Sequence, residues 1–277
     1  MTAASGLHEP TLHESTTNQP ATNEPAMNEP ATKREMAWNW PNSAAMQRKH
    51  PFAFSALRSA YRSMVRLRYS RRHRSLIEAA GLDRPAMLQI GCSTNILPRW
   101  LNADLKPSPC AVFLDASKKF PFPGCHFDYV FSEHLIEHLD YETGAKMVSE
   151  IFRVLRPNGR VRIATPDFDF LVNLYLHPNE PVHQRYIANA AAKFPVPAPT
   201  NAVSVVNNFF RDWGHQYIYG REVLENLLIS SGFTSVARCD SGESSDANLR
   251  GIDSHGRLIG NEFNRLESMI FEGVKPA

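Results

Sequence analysis

Two histidines and two carboxylates crowd into the stretch SEHLIEHL, Ser132 to Leu139. Its core, His134-x-x-Glu137-His138, is the inverted zinc-hydrolase signature, in which both histidines would ligate the metal and Glu137 would serve as base. At about 100° per residue, Glu133, His134, Glu137 and His138 share one side of a helical turn, and Leu135, Ile136 and Leu139 share the other. The stretch therefore reads as an amphipathic helix with its apolar side on a sheet and its polar side toward a cleft or solvent. What such a cluster does depends on the elements that position it.

The chain has 277 residues, 43% of them hydrophobic, enough for one full-sized domain with a real core. A formal net charge of +2 does not by itself mark a nucleic-acid binder. Four scattered cysteines without a CxxC pair suggest reduced thiols and a cytoplasmic setting rather than a disulfide framework or a zinc knuckle. No apolar run approaches the roughly 18 residues of a membrane span, and the start of the chain lacks an apolar signal core. Residues 1–45 are built from polar, proline-punctuated pentads and read as a disordered low-complexity tail, unable to bury enough surface to offset its ordering entropy. Residues 46–84 read as a basic amphipathic helical segment. Leu57, Tyr61, Met64, Val65 and Leu67 give it an apolar side, and Arg58, Arg62, Arg66, Arg68, Arg71, Arg72 and Arg74 a basic one. Such a helix either lies on an anionic membrane surface, binds a polyanion, or packs on the domain with its arginines solvated; the last is the commoner outcome.

From Pro85 onward strands alternate with helices. AMLQIG, WLNADL, CAVFLD, FDYVFS and VRIATPD read as five strands, and TSVARCD and ESMIFEGV as two late ones. GAKMVSEIFRVL and YGREVLENLLISSGF are helices, the first ended by the turn RPNGR and the second by Gly232. This order implies an α/β fold, a mostly parallel sheet with helices on both faces, which binds ligands at the strand carboxyl ends. Gly91, Cys92 and Ser93 fall after the first strand, Asp104 after the second, Asp115 after the third, Ser132, Glu133 and His134 after the fourth, and Asp167 after the fifth. A glycine there lets a ligand approach the backbone, an acid after the second strand can take ribose hydroxyls, and one after the third suits an adenine amino group. Each acid alone would pass for a helix cap or turn residue; the ordered set is more specific.

LQIGCS, WLNADL, LDASKKFPFPGCHFDYVFSEHLIEHL, EIFRVLRPNGRVRIATPD and LLISSGF, in that order, resemble the class I S-adenosylmethionine-dependent methyltransferases. NNFF, WGH and GES segments at Asn207–Tyr217 and Gly242–Ser244 resemble a bacterial subgroup associated with polysaccharide biosynthesis. The resemblance implies a Rossmann-like, seven-stranded methyltransferase sheet over residues 85–277, with S-adenosylmethionine as cofactor. It implies that Gly91, Cys92 and Ser93 form the nucleoside-approach loop, that Asp104 binds ribose, that Asp115 and Ala116 flank adenine, and that Ser132 and Glu133 lie along the methionine part. His215 is the first candidate for a catalytic base, followed by Glu133 and His134, with Asp167 behind them. Trp213, Tyr217 and Tyr219 are candidates to stack on an acceptor, and residues 193–210 look like an ordered insertion or lid. The chain departs from the pattern at Ser93, where glycine is common. Only a short gap separates Gly91 from Asp104, so the first crossover helix must be a turn or absent. The same shortness argues against a nicotinamide dehydrogenase.

Within that frame the octapeptide is not expected to form a protease site. Some hydroxyl methyltransferases carry E-x-x-E-H and a divalent ion at this point; here His134 replaces the first acid. His134, Glu137 and His138, with His215, could hold such an ion, but hydrogen bonds that merely hold the helix are the favoured expectation, and no metal is assigned. The expected function is methylation of a hydroxyl on a sugar or glycolipid intermediate in the cytoplasm, with peripheral membrane contact through the basic helix as an open alternative to its packing on the domain. The alternatives are an RNA ribose or small-metabolite methyltransferase, or a non-catalytic cofactor-binding protein. A small-molecule or glycan acceptor is preferred over a nucleic acid.

Overall fold

A computed structural model describes residues 51–82 and 84–277. The low-complexity tail at residues 1–45 lies outside the described residues. The chain divides into two units, Met1–Phe54 and Ser55–Ala277. Of the first, only the residues opening helix α1 (Pro51–Arg68) are described.

The single basic helix expected here is two, α1 and α2 (Ser70–Leu82), with Tyr69 between them. His73 of α2 is buried and its Nε2 lies 2.7 Å from the carbonyl of Ser108, while Leu76 and Ala80 pack against the core. Arg68, Arg71, Arg72 and Arg74 are exposed. For α2, then, the helix packs on the domain and its arginines are solvated. Leu57, Met64 and Leu67 of α1 are exposed. Among the described residues no helix is long and apolar enough to cross a membrane.

Seven strands form one sheet: β1 (Met87–Ile90), β2 (Leu101–Asp104), β3 (Val112–Phe113), β4 (Phe127–Glu133), β5 (Leu155–Pro166), β6 (Thr234–Cys239) and β7 (Ser268–Val274). Their order is β3-β2-β1-β4-β5-β7-β6. β1 to β5 pair in parallel, and only β7 runs against its neighbours. Helices α3 (Tyr141–Val154) and α7 (Arg221–Ser230) supply Met147, Val148, Ile151, Leu224 and Leu228 to the main core. Between them, α4 (Phe168–Leu176), α5 (Pro181–Lys193) and α6 (Ala202–Arg211) build a second core around Phe170, Leu174, Tyr186, Ile187, Val205 and Phe209. The segment 193–210, expected as an ordered insertion or lid, packs into that second core through Ala202, Val205 and Phe209 of α6. Two short helices, α8 (Gly256–Ile259) and α9 (Asn261–Glu267), lead into β7.

The missing first helix is a loop locked from within. Asn102 is buried, accepts the amide of Leu97 at 2.9 Å, and donates to the carbonyls of Leu97 and Trp100. Leu97 and Trp100 then bury against Met87, Phe131 and Leu249. One asparagine satisfies the backbone that a helix would have satisfied itself.

Three other expectations are corrected. The third strand is two residues long rather than six. The turn RPNGR is continuous with β5, which bends there with Asn158 at φ 65°. Most consequentially, the octapeptide is not a helix. Glu133 is the last residue of β4, His134 takes a left-handed φ of 48°, and only Ile136–His138 form a turn, of the tight 3-10 type. Asp140 then caps α3 by accepting the amide of Thr143, so the chain has no room for a full helical turn before the next helix starts.

Arg162 of β5 is fully buried in the sheet. Its guanidinium pairs with Glu272, directly opposite on β7, and with Asp253, and donates to the carbonyl of Glu243 at 2.9 Å. The loop from Asp240 to Asp253 is thereby tied to the centre of the sheet. Arg162→Met is expected to destabilise the fold by about 3–5 kcal/mol, because two carboxylates stay buried without their cation; denaturant unfolding of wild type and variant measures it.

Candidate active site

Two cavities open where β1 and β4 end, and they share His134, His255 and Leu258 as a wall. The first, about 480 Å³, is bounded on one side by Gln89, Gly91, Ser93 and Asn95 and on the other by Glu133, Ser254 and Arg257. The second, about 180 Å³, lies under the α5–α6 cap. Phe194, Val205, Phe209, Trp213 and Ile259 give it an apolar lining, and Glu137, His138, His215 and Glu267 a polar one.

Gly91 has φ +73°, and a Cβ there would meet Leu135 at 3.0 Å, so the position calls for glycine, which lines the first cavity. Its amide and that of Cys92 both donate to the carbonyl of Ala103. Cys92 is buried, and burial together with the nearby Asp104 charge pushes its thiol up to about 12, so it stays a neutral wall group. Ser93, at φ 46°, donates its amide to Asp104 Oδ2 at 2.9 Å, and Asp104 Oδ1 takes the amide of Lys106. Asp104 thus sets the loop shape from just behind the residues that line the cavity. Asp115 accepts the amide and hydroxyl of Ser117 and, like its neighbour Ala116, stands off the lining. Ser132 is fully buried, and its Oγ has no hydrogen-bond partner.

The candidate bases separate by their partners. Glu133 is saturated: it accepts the amides of Ser254 and His255 and the Ser254 hydroxyl at 2.7–3.0 Å. His134 is held at both nitrogens. Ser268 Oγ donates to Asn264, so it accepts from His134 Nε2–H at 3.0 Å, and His134 Nδ1 lies 3.2 Å from Glu137 Oε1. Burial opposes the His134 cation, but Glu137, with Glu267 and Glu133, outweighs it and raises the pKa. Asp167 caps α4 and pairs with Arg238 at 2.8 Å. His215 alone keeps a free nitrogen. The Phe209 carbonyl, 2.8 Å from Nδ1, can only accept, so Nδ1 carries the proton and Nε2 its lone pair. Burial lowers its pKa, which keeps the ring neutral. Trp213 lines the second cavity, whereas Tyr219 is a core residue.

The wheel placed Glu137 toward cleft or solvent; it lines the second cavity yet is fully buried. Thr165 donates to its Oε2 at 3.0 Å, while Oε1 has no aligned hydrogen bond. Burial alone would raise its pKa, but the neighbouring His134 and His138 hold it below the usual carboxylate range. Sequence reasoning missed His255 entirely. Its ring stacks on His134 at 3.8 Å between centroids, its Nε2 lies 2.7 Å from Glu267, and Tyr186 donates to the same carboxylate. Gln89 and Asn95 were also missed; both line the first cavity, and Gln89 Oε1 and Asn95 Nδ2 are buried without partners.

Residues 88–163 match the family model of a methyltransferase domain. The matched residues run from β1 into β5 and are thus similar to a methyltransferase domain. Class I methyltransferases, which the sequence resembles, use S-adenosylmethionine as methyl donor, and the first cavity offers a glycine at β1's end beside polar groups that lack partners. No curated protein sequence matches the chain. Among solved structures it is similar to a SAM-dependent methyltransferase from Archaeoglobus fulgidus, at 18% identity over 80% of this chain and 99% of the other, with a TM-score of 0.41. It is similar to Haemonchus contortus phosphoethanolamine N-methyltransferase 2, at 15% identity over 75% of this chain and TM-score 0.39, and spans about half (53%) of that enzyme's length. It is also similar to the YcgJ protein of Bacillus subtilis, at 13% identity over 74% and 99% of the two chains, with a TM-score of 0.38.

Gly91→Ala is expected to cost about 1–3 kcal/mol of stability from the left-handed backbone, with a further loss from the clash with Leu135. Gly251→Ala, at the same φ of +73° with no atom within 4 Å of its Cβ, carries the backbone term alone. Denaturant unfolding of the two variants separates the contributions.

Proposed function

We propose that the protein transfers a methyl group from S-adenosylmethionine in the first cavity to a hydroxyl of an acceptor in the second, where the two cavities meet beside His134 and His255. The observation that carries this is the adjacency of the two cavities at the carboxyl ends of β1 and β4. Gln89, Gly91, Cys92, Ser93 and Asn95 would hold the donor, with Asp104 fixing the loop; Asp115, Ala116 and Ser132 are assigned supporting positions around it. When bound, S-adenosylmethionine supplies an electrophilic methyl group. The chain's own task is to present the acceptor oxygen in line and to take its proton. His215 Nε2 is the group assigned to the proton, since the nitrogens of His134 and the carboxylate of Glu133 are already engaged. His134 and Glu133 instead hold the wall in place. Trp213 and Phe194, edge to face at 5.1 Å, would flank the acceptor's body.

The sugar or glycolipid acceptor is favoured by the subgroup resemblance, and the largely apolar lining of the second cavity supports a hydroxyl carried on an apolar or lipid-linked body. The exposed Leu57, Met64 and Leu67 beside exposed arginines support contact with an anionic membrane, where such acceptors reside. Four free cysteines accord with a cytoplasmic location.

Calorimetric titration with S-adenosylmethionine or S-adenosylhomocysteine is expected to show saturable binding; no heat from either would overturn the proposal. Asp104→Ala is expected to weaken that binding by about 1–3 kcal/mol, because the loop amides lose their acceptor. His215→Ala is expected to lower turnover of labelled cofactor by about 100-fold or more with cofactor affinity unchanged. A matching loss of affinity would remove His215 from the acceptor side.

A further inference from the structure

His215 also lines a third hollow, an open groove of about 590 Å³. The groove runs between the start of α4, the end of α6 and the start of α7. Phe168 and Phe210 stand in it edge to face, 6.2 Å apart, with 38% and 46% of their surface exposed. Tyr217 adds a third ring, fixed by packing on Tyr141 at 5.2 Å and on Tyr219 at 4.8 Å. The polar lining is Asp169, Gln216, Arg221 and Glu222. We propose that this groove binds a sugar ring of the acceptor, next to the hydroxyl that takes the methyl group.

A pyranose is amphipathic in the same way as the groove. Its C–H faces bury on aromatic rings, and the hydroxyls around its rim donate and accept hydrogen bonds. The planes of Phe168 and Phe210 cross at 74°, so a sugar stacked on one ring meets the other at its edge. Asp169 accepts a bond from the Arg221 amide at 3.3 Å, and Gln216 is held by its side-chain bond to the carbonyl of His138 at 2.6 Å. The carboxylates of Asp169 and Glu222 suit hydroxyl donors, and the Arg221 guanidinium suits hydroxyl acceptors. Two acids against one arginine disfavour a phosphodiester strand, which binds through its phosphates. Four polar side chains in the lining disfavour a bare acyl chain, which could satisfy none of them. Groove and second cavity meet at His215. A glycolipid acceptor would lie across that joint, its apolar part against Trp213 and Phe194 in the second cavity and its sugar in the groove. The hydroxyl to be methylated then sits beside His215, whose Nε2 lone pair stays free to take the proton. That placement rests on the methyltransferase reading; the binding of a sugar by the groove does not.

The test is saturation-transfer NMR on the full-length protein with a panel of methyl glycosides of hexoses, 6-deoxyhexoses, N-acetylhexosamines and pentoses. At least one glycoside is expected to bind saturably, with the strongest transfer to its ring C–H protons. Phe168→Ala and Phe210→Ala are each expected to weaken that binding by about 5-fold or more, with circular dichroism showing that the fold is kept. Tyr175→Ala, at an exposed aromatic residue of α4 outside the groove, is expected to bind like wild type. No binding from the whole panel, or binding unchanged in both Phe168→Ala and Phe210→Ala, overturns the site. Binding of oligouridylate in place of the glycosides, lost in Phe210→Ala, overturns the assignment to a sugar. S-adenosylhomocysteine calorimetry on the same samples separates the two readings. Cofactor binding without glycoside binding removes the sugar site alone, and glycoside binding without cofactor binding removes the methyltransferase reading while the sugar site stands.

Discussion

The site depends on a cation buried in the sheet. Arg162 of β5 faces Glu272 of β7 across an antiparallel pair, and the remaining donors of its guanidinium hold Asp253 and the carbonyls of Glu243 and Asp240. A guanidinium can satisfy so many acceptors at once because its donors lie in a rigid planar fork. The residues that follow Asp253 then reach the end of β4, where the Ser254 and His255 amides converge on Glu133. His255 is delivered against His134, and a wall divides the space above the strands in two.

That wall is a chain of alternating acid and imidazole. Glu137 lies beside His134, His134 stacks on His255, and His255 meets Glu267, which Tyr186 also engages. Its carboxylates and rings are largely withdrawn from solvent, so each finds its partner inside the protein, as buried ionisable groups must. The groups committed to the wall are poor candidates for chemistry for that same reason. His215, by contrast, is anchored through one nitrogen only.

Much of the fold was legible in the sequence because the strands are short apolar runs bounded by glycine, proline or aspartate, and because Gly232, at φ +102°, closes its helix as that residue type should. The absent first crossover helix was legible too, since the gap before Asp104 is too short for one. The octapeptide was misread because a helical wheel assumes a helix. His134 leaves the right-handed region, and Asp140 starts the next helix too soon. The polar side of that wheel then lost its meaning: Glu133 turned to Ser254, and Glu137 turned inward to Thr165. Ser254 lies 121 residues from Glu133, and no local pattern encodes that pairing. His255, Gln89 and Asn95 escaped for the same reason: a single polar residue in a loop or strand carries no spacing to read. Of the residues expected around the cofactor, Gly91, Cys92 and Ser93 line the first cavity, whereas Asp104, Asp115 and Ala116 stand behind or away from its lining.

The strand order also sets a schedule. β7, last of the seven in the chain, lies between β5 and β6, so β6 has no neighbour in the sheet until β7 has been made and inserted. On a ribosome the parallel strands β1 to β5 emerge well before that moment. They carry the glycine turn and the ends of β1 and β4, but the half of the wall that comes from residues 254–267 is not yet present. A nascent chain therefore has a floor for ligands before it has a room, and both cavities are completed only with the closing of the sheet.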